Sequence, residues 1–331
     1  MPIPVERLAT CKKRIKSVLK TRYYATNRQL ESKICESGPF NQRCDPHVIS
    51  QALREMVASE ELATIQHPQH NTKFYHLPEM LLKVKSRKIL KARREVIDPL
   101  YSLYLSFAQN DQRLCGDALE TVMRDGFSQV PSFVELGSKQ HPMLVFGELV
   151  LPGALDGTFL LAEKKLLIAV ETKNIREWIY PNSQELWSLV NKANTISSSS
   201  CPVLPVIICR KIPYYAYVAF KQLGILGFET HTQFFDPSID DQLVDIKHKD
   251  GLGFHDIKTA LVPPAGFVSF LEKTIPSYGP DYAARFLSHK SLLDQVAPQL
   301  ALKNIHYSQR NALWLTVKVA LGVEAAMSHH E

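Results

Sequence analysis

No stretch of this sequence comes near the roughly 20 consecutive apolar residues that a helix needs to cross a bilayer. Its first residues, MPIPVERLATCKKRIKSVLK, have none of the apolar core that a secretory signal carries. The six cysteines, at 11, 35, 44, 115, 201 and 209, include no CxxC pair, which argues against a zinc ribbon and against a dense disulfide framework. Together these absences point to reduced thiols in a cytoplasmic protein. There is no internal repeat, and SSSS at 197–200 is the one low-complexity tract. Residues 250–331 read as mainly helical and hold no chemical motif; the closing HHE is too short for a metal site.

What is present is unevenly charged. Residues 1–95 contain 19 Lys+Arg against 9 Asp+Glu, a net of +10, whereas the other 236 residues contain 20 against 24, a net of −4. A basic segment joined to a mildly acidic one suggests a polyanion-binding module attached to something else.

The basic segment has a pattern. VERLATCKKRIKSVLK places Val5, Leu8, Ile15, Val18 and Leu19 near helical spacing. TNRQLESKIC follows, with Thr26 or Asn27 placed to cap it. A third helix starts at Asp45-Pro46, cap and first turn, with an apolar stripe of Val48, Ile49, Ala52, Leu53, Met56 and Val57. LATIQHPQHNTKFYHLP then reads as strand, polar turn and strand. This order resembles a winged helix-turn-helix domain over residues 1–80. The resemblance implies that the third helix enters a major groove of double-stranded DNA, offering His47, Ser50, Gln51 and Arg54. The wing would add His67, His70, Asn71 and Lys73. Residues 81–111 read as a helical connector, basic and then aromatic, packed on the next domain.

Residues 112–245 alternate helix and strand, as an α/β unit with a mixed central sheet does. GDALETVMRDGF is a helix ending near Gly126, VLPVIIC is a continuous apolar strand, and NSQELWSLVNKANTI is a helix with Asn182 and Glu185 in a capping-box arrangement. Between them ALDGTFLL and LLIAVETK form a hairpin. With Glu163-Lys164 as a two-residue turn, Gly157 faces Val170 and Asp156 lies directly across from Glu171. Two carboxylates about 5 Å apart repel unless a cation sits between them. Magnesium binds in this way, through one or two carboxylates, waters and a substrate phosphate. Lys173 falls one step further on the same face, where it could orient or deprotonate a water or stabilise charge on a phosphate.

Asp156 followed fifteen residues later by Glu171-Thr172-Lys173 resembles the core of the PD-(D/E)XK nucleases, the superfamily of restriction endonucleases and Holliday-junction resolvases. The LDG setting of Asp156, the helix carrying Glu120, and Gln184 in the first turn of the next helix extend the resemblance over residues 112–236. Leu155 stands where the name-giving proline would be. Glu120 lies off the apolar arc of its helix, where solvent is the other destination, and Glu148 is a second candidate for the extra acid.

The resemblance implies a restriction-endonuclease-like α/β fold, its mixed central sheet flanked by helices, with an N-terminal winged helix and a helical region at 246–331. It also implies a Mg²⁺-dependent endonuclease of restriction type, for which Mn²⁺ substitutes, leaving 5′-phosphate and 3′-hydroxyl ends. Asp156 and Glu171 would hold the metal, Glu120 would assist, Lys173 would activate or position water, and Gln184 would support the geometry. Cutting both strands implies a homodimer. A structure-specific or transposition-related nuclease, and a non-catalytic winged-helix regulator, are the alternative readings.

Overall fold

The computed structural model describes residues 3–36, 44–110, 112–138, 145–146, 149–150, 155–198 and 200–322. The chain divides into two compact units, Met1–Gln112 with Ser238–Ile257, and Arg113–Pro237 with Lys258–Glu331. Four segments drawn from the sequence are therefore regrouped into two. The basic helix belongs with the N-terminal elements, and most of the C-terminal helices belong with the sheet.

The first unit begins with α1 (Val5–Arg22), β1 (Ala25–Thr26), α2 (Asn27–Ile34), α3 (Pro46–Ala58), β2 (Ala63–Gln66), β3 (Lys73–His76) and α4 (Val84–Leu105). Thr26 caps α2: its Oγ1 accepts from Gln29 N at 3.2 Å, and Gln29 Oε1 accepts from Thr26 N at 3.0 Å. Asp45 precedes α3 and Pro46 opens it, but the Asp45 carboxylate bonds Arg7 at 2.8 Å instead of capping. The apolar stripes of α1 and α3 are buried through Ile15, Leu19, Val48, Ile49, Leu53 and Met56. The hairpin gains a third strand, in the order β1-β3-β2.

The connector expectation is corrected here. Phe74 of β3 stacks on Tyr24 at 4.5 Å and meets Tyr101 of α4 edge-on at 5.6 Å. His67 Nε2 lies 3.3 Å from Asp98 O. Aromatic burial thus fixes α4 to the hairpin of its own unit.

The second unit contains α5 (Gln112–Ser128), β4 (Phe133–Gly137), a short hairpin of β5 (Val145–Phe146) and β6 (Leu149–Val150), β7 (Gly157–Leu161), β8 (Leu166–Lys173), α6 (Gln184–Ile196), β9 (Val203–Cys209), α7 (Tyr214–Leu223), β10 (Leu226–Glu229) and β11 (Gln233–Phe234). The chain then contributes α8 (Val244–Lys247) to the first unit. It returns through β12 (Ile257–Lys258) to α9 (Ala265–Ser269), α10 (Ile275–Ser288), α11 (Lys290–Leu300) and α12 (Tyr307–Ala320).

The main sheet has the order β10-β9-β8-β7-β4 and is mixed: β8, β9 and β10 are parallel, while β7 and β4 pair antiparallel. Both faces are covered. Leu167, Ala169, Val203 and Ile207 pack with α6, α7, α10, α11 and α12. Ile168, Val170, Leu204 and Val206 pack with α5 and with Phe267, Phe270 and Ile275. Continuous burial on both faces explains why β8 and β9 read as unbroken apolar runs.

All six cysteines are free thiols. Among the described residues no helix is long and apolar enough to cross a membrane.

Gly126 does not end its helix, because α5 continues to Ser128. It is a glycine because a Cβ there would lie 2.4 Å from the ring of Phe267, which is itself buried against Phe127 and Phe228. Replacing an unconstrained glycine inside a helix by alanine stabilises by about 1 kcal/mol. Overpacking a filled core costs about 1–3 kcal/mol. Gly126→Ala is therefore expected to destabilise, read as a lower urea midpoint; a raised midpoint would mean that the Phe267 contact yields freely.

Candidate active site

The β7–β8 pairing sets Gly157 opposite Val170 and Leu161 opposite Leu166, the register expected from the sequence. The turn is wider than Glu163-Lys164 alone. Ala162–Lys164 forms a 3-10 turn and Lys165 takes φ 48°, so Ala162 and Lys165 also leave the ladder. One step beyond the Gly157–Val170 pair, the register brings Asp156, in the bend before β7, to the end of β8 that holds Glu171.

Asp156 and Glu171 are 5% and 6% exposed. Carboxylates so far removed from water need donors or counter-charges, and each has found them. Asp156 Oδ2 accepts from Thr172 N at 2.7 Å and from Thr172 Oγ1 at 3.0 Å. Its Oδ1 accepts no hydrogen bond from a described residue. Glu171 meets an ammonium on each oxygen: Lys173 Nζ at 2.7 Å from Oε1, and Lys192 Nζ, from α6, at 3.3 Å from Oε2. The cations demanded by two adjacent carboxylates are supplied here by lysines.

Lys173 is pulled in two directions. Burial disfavours its charge, but the charge and hydrogen bond of Glu171, with Asp156 and Glu185 further off, outweigh burial and hold it above the ordinary lysine value. In this arrangement Lys173 is an ammonium, a donor to a phosphate or a water and not a base.

Behind the pair lies a clamp. The side chain of Asn174 accepts from Phe234 N at 3.0 Å and donates to Phe234 O at 2.6 Å and to Cys115 O at 2.5 Å. It ties the end of β8 to β11 and to α5.

Two residues expected at the site are engaged elsewhere. Glu120 is not solvent-facing: it is 4% exposed and pairs with Arg124 at 3.1 Å, one turn along α5. α5 covers the sheet face of Ile168 and Val170, whereas strand alternation puts Glu171 and Lys173 on the other. Among the described residues no group of three His, Cys, Asp or Glu side chains could hold a metal, so Glu120 is not brought in as a third acid. Gln184 opens α6, but its Nε2 donates to Ala301 O at 3.2 Å, on the stretch after α11. The α6 cap is Ser183, which accepts from Leu186 N at 3.4 Å, and not Asn182 with Glu185. Glu148 lies outside the described residues.

Sequence reasoning missed Lys192 and Asn174. For Lys192 there was a signal: it follows Glu185 by seven residues and therefore shares its helical face.

In the first unit, His47 and Arg54 of α3 are exposed, as are Asn71 and Lys73 of the hairpin. Ser50 and Gln51 are half-buried, and Gln51 donates to Glu55 at 2.9 Å. His70 is half-buried with its ring 4.8 Å from that of His67. His67 is corrected as a surface contact: it is 4% exposed, and its Nδ1 accepts from Gln69 N at 3.1 Å.

The bonds of Asp156 make a prediction. Asp156→Ala strands the buried Thr172 N–H and should cost about 1–3 kcal/mol in urea unfolding. Asp156→Asn keeps an oxygen at the Oδ2 position and should cost less than about 1 kcal/mol. Equal losses for the two variants would show that the Thr172 bonds contribute nothing. In comparison with known proteins, the chain matches no family model, no curated protein and no solved structure.

Proposed function

We propose that this chain is a divalent-metal-dependent DNA endonuclease in which Asp156, Glu171 and Lys173 form the reacting centre. The observation that carries the reading is the meeting of Asp156 and Glu171 at adjoining strand ends, with Asp156 Oδ1 accepting from no described residue and an ammonium beside Glu171. The flanking mixed sheet and the helices on both of its faces agree with a restriction-endonuclease-like fold. In the first unit, three helices and the β1-β3-β2 hairpin sheet, with His47 and Arg54 outward on α3, support a winged-helix reader of double-stranded DNA.

The donor set fits magnesium or manganese. Both oxygens on offer are hard carboxylate donors, and such ions take one or two carboxylates and fill the rest of their shell with water and phosphate. Asp156 would hold the ion through Oδ1 while Thr172 keeps its other oxygen fixed. Glu171 would hold it after releasing one ammonium. The bound ion would polarise the scissile phosphate and lower the pKa of water. Lys173, charged and 2.7 Å from Glu171, orients a water or a phosphate oxygen by donation. Lys192 makes the longer of the two Glu171 contacts, from a different element, and is the one that gives way. Cleavage of both strands would take two such centres, which makes a homodimer the expected working form.

The test is incubation of the purified chain with plasmid DNA and Mg²⁺ or Mn²⁺, followed by mapping of the ends. Cutting with metal, none in EDTA, and none for Asp156→Asn or Lys173→Met is expected; cutting by Asp156→Asn at the wild-type rate would remove the catalytic assignment. Branched substrates run alongside separate a restriction-type enzyme from a structure-specific one.

Metal affinity supplies a second readout, independent of turnover. Lys192→Met removes the ammonium that competes for Glu171. Releasing a partly exposed ion pair is worth about 0.2–1 kcal/mol, so Mn²⁺ should bind roughly 1.5- to 5-fold more tightly by calorimetry. Unchanged or weaker binding would show that Lys192 does not compete for the ion.

A further inference from the structure

The basic excess of residues 1–95 is not where the winged-helix comparison leads one to look. Residues 1–80 contain 12 Lys+Arg and 8 Asp+Glu, a net of +4. Residues 81–95 contain 7 Lys+Arg and a single acid, Glu95, a net of +6. Pairing widens the difference. Arg7, Lys12, Lys16 and Arg28 are bound to Asp45, Glu55, Glu61 and Glu31 at 2.8, 2.7, 2.6 and 3.5 Å. On α4, Lys85, Lys88 and Lys91 are exposed, and their side chains make no hydrogen bond or ion pair with a described residue. The acids near this stretch are Glu95, one turn after Lys91, Asp98, taken by Arg94 at 3.4 Å, and Asp250, whose charge acts on Arg93.

The arrangement is periodic. Lys85, Lys88 and Lys91 follow at intervals of three residues and lie within about 120° of the helix surface, whereas Arg94, about 60° further round, falls on the side of Leu90 and Ile97. Leu90 and Ile97 turn the opposite side of the helix inward. At 1.5 Å per residue the three lysines run along about 9 Å of helix. One strand of duplex DNA presents a phosphate about every 3.4 Å of its axis, so the row spans about three phosphates. His67, Phe74 and Tyr101 fix α4 to the hairpin, so the row belongs to the same packed unit as α3.

We infer that the Lys85–Lys88–Lys91 face of α4 is the principal phosphate-backbone contact of this protein, with α3 a lesser source of electrostatic affinity. The inference rests on the nucleic-acid reading above and names the element that carries most of its salt dependence. Nucleic acid is favoured over an acidic protein because the three lysines are evenly spaced along one side of the helix, matching a linear polyanion. Met80, Leu81 and Val84, also exposed, lie at its N-terminal end and make an anionic membrane the competing partner.

The test is a salt titration of duplex DNA binding by the full chain and by Lys85→Gln/Lys88→Gln/Lys91→Gln, with Lys303→Gln as an exposed control. Each neutralised phosphate contributes about −0.9 to the slope of log K against log salt, so the triple variant should lose about 2.7 from that slope. Between 50 and 200 mM salt its affinity should then fall roughly 40-fold less than that of wild type. The control should follow wild type. If wild type binds duplex and the triple variant keeps its slope and affinity, the α4 assignment is overturned while DNA binding stands. If wild type binds no duplex at low salt, the nucleic-acid reading and this assignment both fall. Binding to phosphatidylserine vesicles that is lost in the triple variant, with no duplex binding, would assign the face to a membrane and overturn the inference.

Discussion

A carboxylate taken out of water must be given donors or a counter-charge, and the sheet end that holds Asp156 and Glu171 is organised around that requirement. Thr172 serves Asp156 with its backbone N–H and its hydroxyl, while Lys173 and Lys192 serve Glu171. The three residues Glu171-Thr172-Lys173 thus divide the work between the two faces of β8. The odd positions set charge against charge, and the even one fixes the partner strand's carboxylate. The arrangement is neutral as it stands, and it leaves one carboxylate oxygen of Asp156 without a partner among the described residues. Neutrality keeps two acids together in the folded chain. The spare oxygen separates a site that could take an ion from an ion pair that is complete.

Charge elsewhere in the chain is handled differently. Asp45, Glu55 and Glu61 are paired with Arg7, Lys12 and Lys16, which ties α1 to α3 and its flanks at the surface but cancels part of their field. The three lysines of α4 keep their field because none of them is paired with a described acid. A surface ion pair contributes little to stability, but it removes a cation from long-range attraction of a polyanion. Net charge counted over a whole segment hides that distinction.

The sequence disclosed what depends on short-range pattern. The β7–β8 register was legible from centring the turn on Glu163-Lys164, which the wider turn leaves unchanged because Ala162 and Lys165 leave the ladder together; a slip of one would turn Asp156 away from Glu171. The starts of α2 and α3 were legible from Thr26 and from Asp45-Pro46. What escaped was long-range. That α4 packs on its own hairpin depends on Tyr101 meeting Phe74, residues far apart in the chain with no shared period. Gly126 looked like a helix stop because glycine is a stop locally; its true constraint is a phenylalanine 141 residues later. Lys192 could be placed on the face of Glu185, but that this face looks at Glu171 follows from how α6 lies on the sheet. Glu120 carried the opposite difficulty. Its helix and burial are real, but the face its helix covers belongs to Val170 and not to Glu171.

Asn174 carries a consequence for which substitutions this strand end tolerates. Its amide satisfies both the N–H and the C=O of Phe234, as another strand's backbone would, so β8 gains one more rung from a side chain. An aspartate there would keep the acceptor, lose the donated bonds to Phe234 and Cys115, and bring a third negative charge to a place where two are already balanced. A threonine or serine would be too short to serve both groups. The position therefore selects for an uncharged amide, and the charge state of the neighbouring pair is protected by a residue that has no charge to contribute.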